Sequence, residues 1–174
     1  MTKRELERAL RSIAKLAQDD EFFLIGSQAV HAYCMRPPAE VRLSEECDLY
    51  PKNRPETANF LNQELGRRSK FRRTQGFYID VVTPELATLP DGWQDRLKPF
   101  RVGRVTAYCL EVHDLIVSKL AAGRFKDLEF VGALLKLRLA NLKTVRKRIQ
   151  ECAAVNDQPR MRARLESVLD ELAH

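Results

Sequence analysis

Glu46 and Asp48 flank Cys47 in the segment ECDLY. On a strand, that spacing puts both carboxylates on one face and Cys47 on the other. Neighbouring carboxylates repel unless water separates them or a divalent cation bridges them, and Mg²⁺ binds through a few carboxylates plus substrate phosphates. A solvated strand face is the other reading. Asp80 sits mid-strand in FYIDVV, between Ile79 and Val81. An unpaired carboxylate there is costly, so it needs a cation, a donor cluster or a metal. If the strand of Asp80 lies beside that of Asp48, the three carboxylates converge. Gly26-Ser27 follows the apolar run Phe22 to Ile25, between a buried strand and a helix. The glycine lets another group approach the backbone, and the helix N–H groups with a Ser27 cap could receive a phosphate. A merely structural turn reads the same way. Convergent carboxylates opposite a phosphate cradle are what metal-assisted phosphoryl transfer requires.

The elements that must position these groups are legible from periodicity and breakers. Thr2 and Glu5 have the form of a capping box, and Leu6, Leu10, Ile13 and Leu16 repeat at helical spacing, which predicts a helix over 2–18. Strands are expected at 22–25, 46–50 and 77–82, with helical character from Ser27 to Tyr33 that stops before Pro37-Pro38. Pro55 to Leu65 reads as a helix with proline near its start and Gly66 near its end. Phe100–Val102 and Val105–Leu110 read as a hairpin around Gly103. From residue 112 the pattern is helical, over 112–122, 126–139, 141–153 and 159–172. The composition shift divides an α/β half, residues 1–110, from an all-helical half, residues 111–174.

Of 174 residues, 44% are hydrophobic and 31% charged, with 7 glycines and 8 prolines, so a packed core is expected and a disordered or collagenous chain is excluded. The longest uncharged stretch, Phe22 to Met35, is too short and too polar to span a bilayer, and no membrane association is expected. The first residues, MTKRELERAL, lack the apolar centre of an export signal. Four cysteines, Cys34, Cys47, Cys109 and Cys152, lie far apart without zinc-site spacing and read as reduced thiols of a cytoplasmic protein. Thirty basic against 24 acidic residues leave a net charge of +6, which suits an anionic partner without naming one. No histidine pairs with a serine or cysteine as a hydrolytic triad would require. His31 reads as packed, and His113 as a local hydrogen-bonding group at a helix start.

Gly26-Ser27-Gln28-Ala29 followed by Ser44-Glu45-Glu46-Cys47-Asp48-Leu49-Tyr50-Pro51 resembles the hG[GS]…[DE]h[DE]h signature of the DNA polymerase β-like nucleotidyltransferases. More narrowly, the chain resembles a bacterial branch near the AbiEii-type nucleotidyltransferase toxins. Leu89–Leu97 (LPDGWQDRL) and Cys109–Val131 are similar to further blocks of that branch. The likeness covers about residues 22–135. It implies an α/β (α+β) fold: a small mixed-sheet nucleotidyltransferase core flanked by helices, with an all-helical C-terminal region. It also implies Mg²⁺- or Mn²⁺-dependent transfer of an NMP from an NTP to a hydroxyl acceptor, such as tRNA, another RNA or a protein, and a cognate antitoxin as partner. A catalytically inactive nucleotide- or RNA-binding protein of the same fold is the alternative. By position, Gly26 and Ser27 match the phosphate turn, Glu46 and Asp48 the metal pair, and Asp80 the third carboxylate. Lys119, Arg124 and Asp127 match the downstream K…R…D block.

On their own chemistry, Lys119 offers a point charge for a triphosphate and Arg124 a planar fork, with Asp127 orienting one of them. The same cations could simply pair with Asp114, Asp127 and Glu129. The run RRSKFRR, Arg67 to Arg73, is expected on a surface loop, either as a solvated basic turn or as an RNA-backbone contact. The arginines at 160, 162 and 164 read as an ordinary polar helix face.

Overall fold

A computed structural model describes residues 1–34, 37 and 39–173, without the side chains of Glu40 and Val41. The helix stop expected at Pro37-Pro38 therefore lies partly outside the described residues. The chain divides into two compact units, Met1–Leu86 with Leu97–Leu110, and Ala87–Arg96 with Glu111–His174.

The first unit is built on a mixed five-stranded sheet of order β3-β2-β1-β5-β4. Its strands are β1 (Glu21–Leu24), β2 (Glu46–Pro51), β3 (Tyr78–Val81), β4 (Lys98–Val102) and β5 (Val105–Cys109). β1 runs antiparallel to β2 and parallel to β5, β2 runs parallel to β3, and β4 and β5 form the expected hairpin. Phe22, Leu24, Cys47, Leu49, Ile79, Ala107 and Cys109 are buried. Helix α1 (Lys3–Ala17) buries Leu6, Ala9, Leu10, Ile13 and Ala17. The Thr2–Glu5 capping box forms, with Thr2 N–H donating to Glu5 at 2.7 Å and Glu5 N–H to the Thr2 hydroxyl at 3.3 Å. Helix α3 (Ala58–Leu65) packs beside β3 through Asn62, whose amide exchanges two hydrogen bonds with the Val81 backbone, at 3.0 and 2.8 Å.

Two local expectations change, and one element that the sequence did not announce is present. Residues Ser27–Ala32 form a 3₁₀ segment rather than an α-helix. A short helix α2 (Ala39–Arg42) precedes β2. The basic run is a loop only in its first part: Arg67 and Arg68 lie in a turn, while Lys70–Gln75 is a helix, α4, capped by the Ser69 hydroxyl and closed by Gly76 at φ 77°.

The second unit contains α5 (Val112–Ala122), α6 (Phe125–Lys136), α7 (Leu142–Gln150) and α8 (Gln158–Ala173). The segment before β4 belongs here: Pro90 bridges to Cys152, Asp91 N–H donates to Glu151 O at 2.9 Å, and Arg96 donates to the buried Asp114 at 2.8 and 3.1 Å. Arg164 does more than line a polar face. Its guanidinium donates to the α5 carbonyls of Leu120 and Ala121 at 2.6 and 2.8 Å, and it occupies the space a side chain at Gly123 would need. These are the carbonyls a helix end leaves unpaired. Among the described residues, no helix is long and apolar enough to cross a membrane. Cys47, Cys109 and Cys152 are buried free thiols and Cys34 is half-buried.

Candidate functional site: a carboxylate cluster on the sheet

The two strands that carry the acids alternate cleanly. On β2, Cys47, Leu49 and Pro51 are buried while Glu46, Asp48 and Tyr50 are partly exposed. On β3, Ile79 and Val81 are buried while Tyr78 and Asp80 are partly exposed. Because β2 and β3 are parallel and in direct register, Asp48 faces Asp80 and Glu46 faces Tyr78. A one-residue slip would send one strand's acids into the core. Carboxylate oxygens of Glu46, Asp48 and Asp80 all lie within 4.8 Å of one another. The condition on which convergence depended, β3 beside β2, is met.

Gly26 completes the cluster on the side of β1. Its φ of −94° is open to any residue, so the glycine is there for space. A Cβ at position 26 would overlap the Asp48 carboxylate. Ile25 N–H donates to Asp48 O at 3.2 Å, so the turn is tied to β2 at the same point. Ser27 opens the 3₁₀ segment but makes no side-chain cap, the capping position being Gly26. A six-residue 3₁₀ segment is not the helix on which the expected dipole site relied. What remains for a phosphate is the partly exposed Ser27 hydroxyl, because the Asp48 carboxylate fills the space beside the buried Gly26.

Burial, and after it the nearby Glu46 carboxylate, raise the Asp80 carboxyl above the ordinary aspartate range. A group so placed gains from a proton or a cation between the acids. The set is all carboxylate, half-buried and closely spaced, which fits a hard divalent cation such as Mg²⁺ or Mn²⁺.

The repulsion has a measurable consequence. An acid with a raised folded pKa holds its proton more tightly in the folded state. Its contribution to stability therefore falls as pH rises from the ordinary aspartate value, about 3.9, through the folded value. Like charges opposed across strands cost about 0.2–1 kcal/mol. Asp80→Asn is expected to raise the Tm of metal-free protein at pH 7–8 by about 1–3 °C. The gain should shrink toward pH 4, and Mn²⁺ should stabilise wild type but not the variant. Thermal unfolding with EDTA or Mn²⁺ across pH checks all three, and a lower Tm for the variant at pH 8 would contradict the assigned repulsion.

Two contributors carried no sequence signal strong enough to single them out. Gln28 is fully buried, and its side-chain N–H₂ donates to Glu46 O at 3.3 Å and Ser44 O at 3.5 Å, pinning the start of β2 to the Gly26 turn. Tyr78 stands two residues before Asp80 on the same face, with the Arg72 guanidinium 5.6 Å from its ring centre. Burial raises its phenol pKa, Glu46, Asp80 and Asp48 add to the rise, and Arg67 opposes it.

Lys119, Arg124 and Asp127 form a compact group within the second unit. Asp127 is buried, 3.3 Å from Lys119 Nζ, and accepts from Arg124 Nε at 2.6 Å. Burial favours its neutral form, but Arg124 and Lys119 outweigh this and hold its carboxyl below the usual range. Lys119 is nearly enclosed, and its Nζ lies 5.7 Å from the Phe130 ring centre. Asp127 thus orients both cations. Asp114 does not join them and takes Arg96 and Arg148 instead. His31 is buried with Nε2 3.2 Å from Met1 O. His113 bridges Glu111, at 2.8 Å from Nδ1, to the Asn141 N–H, which donates to Nε2 at 2.9 Å.

The mixed sheet with three convergent carboxylates beside a glycine turn agrees with the nucleotidyltransferase core that the sequence motifs resemble. Residues 4–168 match the family described as nucleotidyltransferase of unknown function (DUF6036), and the chain belongs to that family. No curated protein and no solved structure matches the chain.

Proposed function

We propose that the protein moves an NMP from an NTP to a hydroxyl acceptor with the help of a divalent cation held by Glu46, Asp48 and Asp80. The observation that carries this reading is the meeting of the three carboxylates within 4.8 Å, with Asp48 seated against Gly26. Bound there, Mg²⁺ or Mn²⁺ would neutralise phosphate charge and favour loss of the acceptor's proton. Asp48 and Asp80, opposite each other in register, are the catalytic carboxylates of this reading, and Glu46 completes the metal-holding set. Gly26 leaves room for the Asp48 carboxylate, and the partly exposed Ser27 hydroxyl can donate to a phosphate oxygen. Lys119 and Arg124, held by Asp127, are the cations assigned to the triphosphate, on the strength of their sequence block. The acceptor oxygen forms a bond to the α-phosphorus, the bond to pyrophosphate breaks in line with it, and the acceptor proton is released.

Kinship with AbiEii-type toxins, an RNA acceptor such as tRNA, a cognate antitoxin and a bacterial cytoplasmic setting belong to the same proposal and rest on the resemblance of the motifs. The protein is incubated with each labelled NTP and bulk RNA, with and without Mg²⁺. Label should enter an acceptor only when the metal is present. If no lane carries label while nucleotide still binds, the inactive binding protein is the correct reading.

A further inference from the structure

Beside the carboxylates, the outer edge of the sheet carries an array of cations that the proposed chemistry does not use. β3 is an outer strand, and Tyr78 lies on it in register with Glu46. Arg72 spans this edge, stacking over Tyr78 and donating to Glu45 at 2.9 Å. Arg67, Arg68, Lys70 and Arg73 are exposed on α4 and the turn before it, with no carboxylate at ion-pair distance among the described residues. Phe71, the apolar member of the run, does not share this exposure. It packs edge-on against the buried Phe77, ring centres 5.3 Å apart, and fixes the helix to the sheet. Lys70 and Arg73 therefore stand on a capped, anchored helix, and Arg67 and Arg68 on the turn that leads into it.

Charges on an edge strand can serve only to prevent pairing with another chain. Here the charges sit on α4 and its approach, not on β3, so that explanation does not reach them. Closely spaced unpaired cations repel each other and gain from a polyanion. A partly exposed aromatic at their end, already stacked by an arginine, suits an unstacked nucleobase, which a duplex does not offer.

We infer that this face holds a single-stranded nucleic acid, its terminal nucleotide against Tyr78 and its following phosphates on Arg67, Arg68, Lys70 and Arg73. Resting on the transferase reading, it makes a terminal sugar hydroxyl of that strand the acceptor. Phosphate contacts set affinity without reading sequence, so several strands would be accepted.

Fluorescence anisotropy across 50–300 mM salt tests this with labelled single-stranded RNA, single-stranded DNA, the corresponding duplex and anionic phosphatidylserine vesicles. Single strands should bind most tightly, and a preference between the two sugars identifies the natural strand. The double variant Arg67→Ala/Arg68→Ala should weaken binding at least about tenfold and flatten the log–log salt slope by about 1.4, at roughly 0.7 per lost phosphate contact. Arg67→Lys/Arg68→Lys should retain most affinity. Tyr78→Ala should weaken binding roughly ten- to hundredfold, while Tyr78→Phe keeps it. Unchanged affinity in the alanine variants, equal binding of duplex, or equally salt-sensitive binding to vesicles overturns the inference. Mn²⁺-induced thermal stabilisation, read on the same arginine variants, should match wild type. Its absence in wild type would count against the transferase reading, whereas strand binding is judged by the anisotropy alone.

Discussion

Asp48→Ala is expected to lower nucleotide transfer by about a hundred- to a thousandfold, the range for losing one preorganised electrostatic group at a reacting centre. Asp48 stands opposite Asp80 in register, and its carboxylate is seated in the space kept by Gly26. The substitution leaves the β2 backbone ladder intact and lies on the half-exposed face, so the fold should persist. Mn²⁺ should no longer raise the variant's Tm, and Asp48→Asn, which keeps the shape and loses the charge, should behave alike. Transfer of labelled nucleotide and thermal unfolding, each with and without the ion, give the two readouts. An inactive binding protein predicts unchanged nucleotide affinity in Asp48→Ala and no transfer in wild type. Metal-dependent transfer by the variant within threefold of wild type would remove the cluster from the chemistry.

Local signals placed most of the first unit. The capping box at Thr2, the alternation around Cys47 and Ile79, and the hairpin at Gly103 each have causes within a few residues, and each appears in the structure. The basic run misled because its charges read as a loop. The informative residues were the flanking Ser69 and Gly76, a cap and a left-handed stop with six residues between them. Residues 27–32 carried a helix-like pattern too short to separate α from 3₁₀.

Within the candidate site, residue types were legible and their meeting was conditional. Spacing alone set Glu46 and Asp48 on one face, but Asp80 joins them through a parallel register between strands some thirty residues apart, which local pattern cannot fix. Gly26 was legible as a place of close approach, though what approaches, the Asp48 carboxylate, was not. Gln28 acts through buried bonds to the backbone of Ser44 and Glu46, and no periodicity signals such a contact. Asp127 as the holder of Lys119 and Arg124 followed from short spacing, whereas Arg96 and Arg148 reach Asp114 from distant parts of the chain.

That last network carries the largest expected effect on stability. Asp114 is fully buried, accepts two hydrogen bonds from Arg96, and lies 3.3 Å from Arg148 Nε, a charge contact without hydrogen-bond geometry. Arg96 also donates to Asp91 O at 3.0 Å, so the carboxylate fastens residues 91–96 to α5. Asp114→Ala leaves two guanidinium groups, each about four-fifths covered, without their shared carboxylate. Breaking a buried pair from one side costs about 3 kcal/mol, which corresponds to a fall in Tm of roughly 6–12 °C for a chain of this length. Arg148 keeps Glu151 at 2.6 Å, so most of the loss should fall on Arg96 and on the segment it anchors. Hydrogen exchange at residues 91–96 should therefore rise more than in α8. Replacing the whole group, Asp114→Leu with Arg96→Met and Arg148→Met, should recover much of the stability, because the cost lies in stranded charge rather than lost attraction. If the triple variant is no more stable than Asp114→Ala, the geometry of the network matters beyond its charge balance. If Asp114→Ala itself unfolds within 2 °C of wild type, the buried carboxylate is not the fastening it is taken to be.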